Sequence, residues 1–139
     1  MQRITFVSRE TIQKLEADPT WAVISISEPS GKAATLAEGW ADVLRLSFYD
    51  VDGDYGSQPV FDSHMAKAVI DFTEKSVTAG KSILVHCHAG ISRSAAIAIA
   101  MGQLHQLPIF NETIKVSPNY GIYNKLVYRL LHRAMSGYD

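Results

Sequence analysis

The stretch Val85-His86-Cys87-His88-Ala89-Gly90-Ile91-Ser92-Arg93-Ser94 holds the side chains best suited to chemistry. Cys87, the sole cysteine, follows an apolar run, Ser82-Ile83-Leu84-Val85, that reads as a buried strand. A short loop centred on Gly90 comes next, and the run Ser94 to Met101 favours helix. A thiol on a strand-to-helix loop meets converging backbone N–H groups and the positive end of a helix dipole, both of which favour an anion. Arg93 adds a planar, permanent cation whose fork matches two phosphate oxygens. The chemistry implied is a thiolate and a phosphate held at one point, with sulfur as the nucleophile.

His86-Cys87, five intervening residues, Arg93 and Ser94, with Gly90 third after the cysteine, resemble the protein tyrosine phosphatase superfamily, specifically its compact dual-specificity and bacterial types. The resemblance implies a cysteinyl-phosphate intermediate and no metal or other cofactor. On it, Cys87 is the nucleophile and Arg93 binds the transferred phosphoryl group. Ser94 donates to the thiolate and later assists its departure. His88, Ala89, Gly90, Ile91 and Ser92 form the phosphate-binding loop, and His86 orients that loop from behind. A lysine among the variable loop positions would point to inositol phosphates; none is present, which leans toward phosphotyrosine. The tyrosine-bearing recognition loop and tryptophan-rich acid loop of the large tyrosine phosphatases are not found.

A proton donor for the leaving oxygen is expected in the acidic run Phe48-Tyr49-Asp50-Val51-Asp52-Gly53-Asp54, after an alternating strand-like stretch from Val43. Family members carry the acid directly after a strand, a few tens of residues before the cysteine. Asp50, 37 positions before Cys87, fits best, with Asp52 and Asp54 as rivals. Ser117-Pro118-Asn119 resembles the segment in which Pro-Asn opens the last helix, and Asn119 is the candidate to brace the loop. An ordinary helix cap is the alternative for it. Ile122, Leu126 and Leu130 would then face the core.

His86, Cys87 and His88 do not make a zinc site, because no further cysteine or paired histidine is spaced to complete it. Gly80-Lys81-Ser82 fails as a nucleotide-binding loop, since Lys75 stands where its first glycine is required.

These residues require a frame. The 139 residues predict a single compact α/β domain, 1–139, with a central, mostly parallel sheet flanked by helices and the phosphate loop between strand and helix. Ile4 to Val7 reads as an edge strand and Trp21 to Ile26 as a second strand. Ser8 caps a helix reaching about Ala17, a short helix is expected over 34–38, and Phe61, Met65, Val69 and Phe72 recur at helical spacing. A net charge of −1 gives no basis for nucleic acid or an anionic membrane as partner. A phosphorylated protein or peptide is the expected substrate. The lone cysteine and the absence of a leader-like apolar run at the start suggest a cytoplasmic setting. Two other readings use the same residues: hydrolysis of a lipid or nucleotide phosphoester, and a phosphoprotein-binding pseudophosphatase.

Overall fold

The computed structural model describes residues 1–51 and 59–136. Six strands form one sheet: β1 (Ile4–Val7), β2 (Trp21–Ser27), β3 (Asp42–Ser47), β4 (Ser82–His86), β5 (Ile109–Asn111) and β6 (Ile114–Lys115). Four helices accompany them: α1 (Arg9–Lys14), α2 (Ser63–Thr78), α3 (Arg93–His105) and α4 (Lys125–Met135). The strand order is β3-β2-β4-β1-β5-β6, parallel throughout except for the terminal β5–β6 pair. This is the mostly parallel, helix-flanked sheet that the sequence predicts.

Alternation along the strands creates two unequal faces. Ile4, Phe6, Ala22, Ile24, Ile26, Ile83 and Val85 join the buried residues of α2, α3 and α4 in the main core. Val7, Val23 and Leu84 point the other way, into a smaller cluster with Ile12 of α1 and Ala34. β1 and β4 are buried along their whole length, as strands covered on both faces must be. α3 is small and apolar on nearly every side, which lets it sink against the sheet: Arg93 through Gly102 are all buried. Gly102 is needed there, because a Cβ would lie 2.4 Å from Ile109 Cγ1.

Four expectations are corrected. β1 is an interior strand, paired with both β4 and β5, and is not at the edge. α1 does begin at its Ser8 cap, but Leu15 is already extended (ψ 140°), so the helix ends at Lys14 instead of near Ala17. Residues 34–38 form no helix. Their backbone is satisfied by side chains: Thr35 N–H donates to Gln13 Oε1, and the Ala34 carbonyl accepts from Arg45. The last helix opens at Asn124, whose side chain accepts from Val127 N–H at 3.0 Å. Ser117 to Tyr120 is instead a turn, closed by Tyr120 N–H to the Ser117 carbonyl. The helix phase shifts accordingly. Leu126, Val127 and Leu131 are buried, Leu130 is only partly so, and Ile122 lies outside the helix, 63% exposed.

Candidate active site

The strand-to-helix loop after β4 sits at the carboxyl end of the parallel strands, where open α/β sheets expose their binding crevices. Cys87 Sγ is 3.1 Å from Ser94 Oγ and accepts the Gly90 N–H at 3.3 Å. Gly90 has φ +77°, and a Cβ on it would lie 2.5 Å from both Val7 C and Ser8 N. The loop is therefore pressed against the β1–α1 junction, where Arg9 N–H also donates to the His88 carbonyl. Glycine satisfies both the left-handed backbone and the close approach.

Ser92 caps α3 by position, yet its side chain makes no capping bond; the hydroxyl donates to Asp50 Oδ1 at 2.9 Å. The first turn of α3 thus keeps N–H groups unclaimed by a side-chain cap. Arg93, in that turn, is 3% exposed. Its Nη1 donates to the Phe48 carbonyl and its Nη2 to Glu28 Oε1, each at 2.9 Å. Its Nε–H is buried without an acceptor. An uncompensated donor on a buried guanidinium is costly, and an oxyanion in the cleft would relieve it.

Asp50 follows β3 and reaches the loop. Its Oδ1 accepts from Ser92 Oγ and, at 2.7 Å, from Asn124 Nδ2, which also donates to the Val51 carbonyl. Asn124 N–H in turn donates to the Ser92 carbonyl. Asn124, 2% exposed, thereby ties the start of α4 to both the acidic segment and the phosphate loop. Asn119, the residue expected to brace the loop, is exposed in the preceding turn and donates its N–H to Ser117 Oγ. The physical reason is the late start of α4, which puts the asparagine at its cap five residues further on. Asp52 and Asp54 lie outside the described residues.

His86 is fully buried behind the loop. Its Nδ1 is 2.9 Å from the Cys87 carbonyl, which can only accept, so Nδ1 carries a proton. Its pKa is pushed down to about 4, first by burial, with the positive charges of Arg9, Arg45 and Arg93 also acting against the imidazolium. A neutral imidazole protonated at Nδ1 leaves Nε2 as an acceptor, and Ser25 Oγ stands 2.6 Å from it.

The cleft of about 440 Å³ over Cys87 is lined by Glu28, Asp50, His88, Ala89, Ile91, Ser92, Arg93 and Ile122. Cys87, Arg93, Ser94, Asp50, His86 and the loop residues therefore gather at one place. Glu28, Asn124 and Tyr120 complete it, the last donating from its hydroxyl to the Ile91 carbonyl at 2.7 Å. An asparagine two residues before the Leu126-Val127 apolar pair is the signal that would have found Asn124. Among the described residues, no group of three or more His, Cys, Asp and Glu is placed to hold a metal ion.

Comparison with known proteins agrees with this geometry. The family model for the dual specificity phosphatase catalytic domain matches residues 53–101, which include the whole phosphate loop. Over those residues the chain is similar to the catalytic domain of dual specificity phosphatases. Among its relatives, dual specificity protein phosphatase PPS1 of Saccharomyces cerevisiae is 45% identical over 79 residues, covering 56% of this chain and 9% of the yeast protein. Dual specificity protein phosphatase 1-B of Xenopus laevis is 48% identical over 52 residues. Dual specificity protein phosphatase 1 of Homo sapiens is 46% identical over 52 residues, or 33% of this chain and 14% of the human protein. The chain thus matches only about a tenth of the length of these superfamily members. No helix among the described residues is long and apolar enough to cross a membrane.

Proposed function

We propose that this chain hydrolyses phosphate monoesters, protein phosphotyrosine foremost and phosphoserine or phosphothreonine in addition, through a cysteinyl-phosphate. The observation that carries this reading is the buried, unpartnered Nε–H of Arg93 at the head of α3, in the same cleft as Cys87. Cys87 thiolate attacks phosphorus in line, and the Arg93 guanidinium with the loop amides holds the equatorial oxygens. Glu28 and the Phe48 carbonyl orient the guanidinium from its far side.

The P–O bond to the leaving group breaks as the S–P bond forms, and Asp50 supplies the proton that the departing oxygen needs. Asn124 and Ser92 hold Asp50 by Oδ1, and among the described residues Oδ2 takes no hydrogen bond, so Oδ2 is the oxygen to carry that proton. Water then attacks the cysteinyl-phosphate, Asp50 takes back a proton, and Ser94 donates to the departing sulfur. His86 fixes the Cys87 carbonyl and is not a base; its low pKa keeps it neutral at working pH.

Two exposed isoleucines, Ile91 and Ile122, wall the mouth of the cleft, and among the described residues Arg93 is the only lysine or arginine that lines it. An aryl phosphate suits such a mouth better than a polyanionic head group. The thiol that the mechanism needs is best kept in a reducing compartment, the cytoplasm.

The test is turnover of para-nitrophenyl phosphate with EDTA present, from about pH 4.5 to 8, by wild type, Cys87→Ser and Asp50→Ala. Metal-independent turnover that vanishes in Cys87→Ser is expected. Asp50→Ala should lose about 10²–10⁴ in kcat for a phosphotyrosine peptide, whose leaving group needs the proton. A wild type that binds phosphopeptide without turning it over would make the chain a phosphate-reading module instead.

A further inference from the structure

A polar row crosses the thinly covered face of the sheet directly behind the phosphate loop. Sheet register puts Arg45 of β3 opposite Ser25 of β2, and Ser25 opposite His86 of β4. The three side chains are joined in that order: Arg45 Nη1 donates to Ser25 Oγ at 3.1 Å, and Ser25 Oγ lies 2.6 Å from His86 Nε2. His86 Nδ1 completes the row on the Cys87 carbonyl. The other Nη1 hydrogen of Arg45 goes to the Ala34 carbonyl at 2.9 Å, drawing the 28–41 connection over the row. Ala34 is 2% exposed there.

We propose that Arg45, on the outermost strand, is a positioning residue for Cys87 that acts through Ser25 and His86. The proposal rests on the reading of Cys87 as the nucleophile. The direction of each bond follows by elimination. The carbonyl takes the Nδ1 proton, a neutral ring then offers Nε2 as acceptor, and the Ser25 hydroxyl must donate to it. A hydroxyl has one hydrogen, so once Ser25 gives it to His86, its oxygen is left to accept, and Arg45 is the donor that uses it. The guanidinium therefore locks the hydroxyl rotor, the rotor locks the tautomer, and the tautomer locks the peptide after Cys87. A fixed Cys87 peptide keeps the following loop amides aimed at sulfur and phosphate, as catalysis by preorganised donors requires.

Each charged group facing His86 bears on its protonation. Arg9 approaches from α1, Arg45 from β3 and Arg93 from α3, and all three oppose the imidazolium. Removing Arg45 takes away one of those charges and also frees Ser25 Oγ to accept from a protonated Nε2. Both changes favour the imidazolium.

Two measurements on the full chain decide it: the nitrogen-15 NMR titration of the His86 ring, and the pH dependence of Cys87 alkylation by iodoacetamide. Wild type, Arg45→Met, Arg45→Lys and Ser25→Ala are compared. In wild type the ring should hold its proton on Nδ1 from pH 8 down to about 5. In Arg45→Met the ring should titrate at higher pH than wild type. Cys87 alkylation at fixed pH should change by about fivefold, the worth of one hydrogen bond. Its kcat should fall by about the same factor with KM for para-nitrophenyl phosphate within about twofold. Arg45→Lys should return the ring titration toward the wild-type course, and Ser25→Ala should mix the two neutral tautomers. An unchanged ring and superimposable alkylation profiles in Arg45→Met and Ser25→Ala would overturn the proposal, even if melting temperatures fell. A wild type without turnover but with these ring and thiol responses would instead refute the phosphatase reading and leave the relay standing.

Discussion

Gly80 and Gly90 offer a controlled comparison of what the contact between the phosphate loop and β1 contributes. Both have positive φ, +82° and +77°. An alanine at either meets the same left-handed backbone cost, about 1–2 kcal/mol. Around Gly80 a Cβ meets nothing within 4 Å, whereas at Gly90 it would lie 2.5 Å from Val7 C and Ser8 N and 2.7 Å from Val7 O. Those are backbone atoms of an interior strand, so no side chain can swing aside. Relief requires the loop to part from the β1–α1 junction by about 1 Å to restore ordinary contact. Such a shift costs about 1–3 kcal/mol in overpacking. It also stretches Arg9 N–H to the His88 carbonyl, now 3.0 Å, beyond bonding, for about 1 kcal/mol more. Gly90→Ala should therefore lose about 3–6 kcal/mol and Gly80→Ala about 1–2 kcal/mol. In melting temperature this is a fall of about 10–25 °C against about 3–8 °C. Thermal unfolding followed by circular dichroism, with turnover measured alongside, reads both. Gly90→Ala should also lower kcat by about 10²–10³, because the N–H now on Cys87 Sγ moves away. Equal melting losses in the two variants would refute the argument that the loop is held by that contact.

Arg93→Lys should cut kcat/KM by at least about 10²-fold, since an ammonium cannot serve Phe48 O, Glu28 and phosphate at once. Steady-state kinetics with EDTA present check it. Asn124→Ala removes a helix cap and the anchor of Asp50 together, so about 1–2 kcal/mol of stability should vanish with a drop in kcat, read by urea unfolding and turnover. For His86 the folded pKa, about 4, lies below the unfolded value near 6.5. Its contribution to stability is therefore complete above the unfolded value and is lost as pH falls through the folded one. The loss amounts to about 3 kcal/mol by pH 4 and below. Urea midpoints across that range should fall more steeply in wild type than in His86→Gln.

The site was legible where its parts are contiguous in the chain. Cys87, Gly90, Arg93 and Ser94 lie within eight residues, and their chemistry is local to one loop. What escaped was set by distance. Gly90 stands out in the sequence as a loop residue, but its tightest constraint comes from Val7 and Ser8, which only the pairing of β1 with β4 brings near. Glu28 reaches Arg93 from the end of β2 across 65 residues of chain, with no local pattern to mark it. The asparagine was a matter of phase. Asn119 and Asn124 both precede apolar residues, and only the burial of Leu126, Val127 and Leu131 selects the second. β1 carried its own clue, since four consecutive buried residues fit an interior parallel strand better than an edge. The expected helix over 34–38 failed because its carbonyls and amides found side-chain partners, an outcome that propensity cannot express.

The interior position of β1 has a consequence for assembly. Ile4 pairs with Ile83 on one side and Ile109 on the other, so the second partner is made 105 residues later. At ribosomal rates of about 5–20 residues per second, that is a wait of about 5–20 s. Until then β1 can pair with β4 but keeps its other edge open. Gly90 leans on the end of β1, so the phosphate loop takes its shape only when β1 has paired with β4. A chain shortened to remove β1 would still carry Cys87, Arg93 and α3 while lacking the surface that presses on the loop. The shape of the phosphate loop is thus set by a strand far from it in the chain.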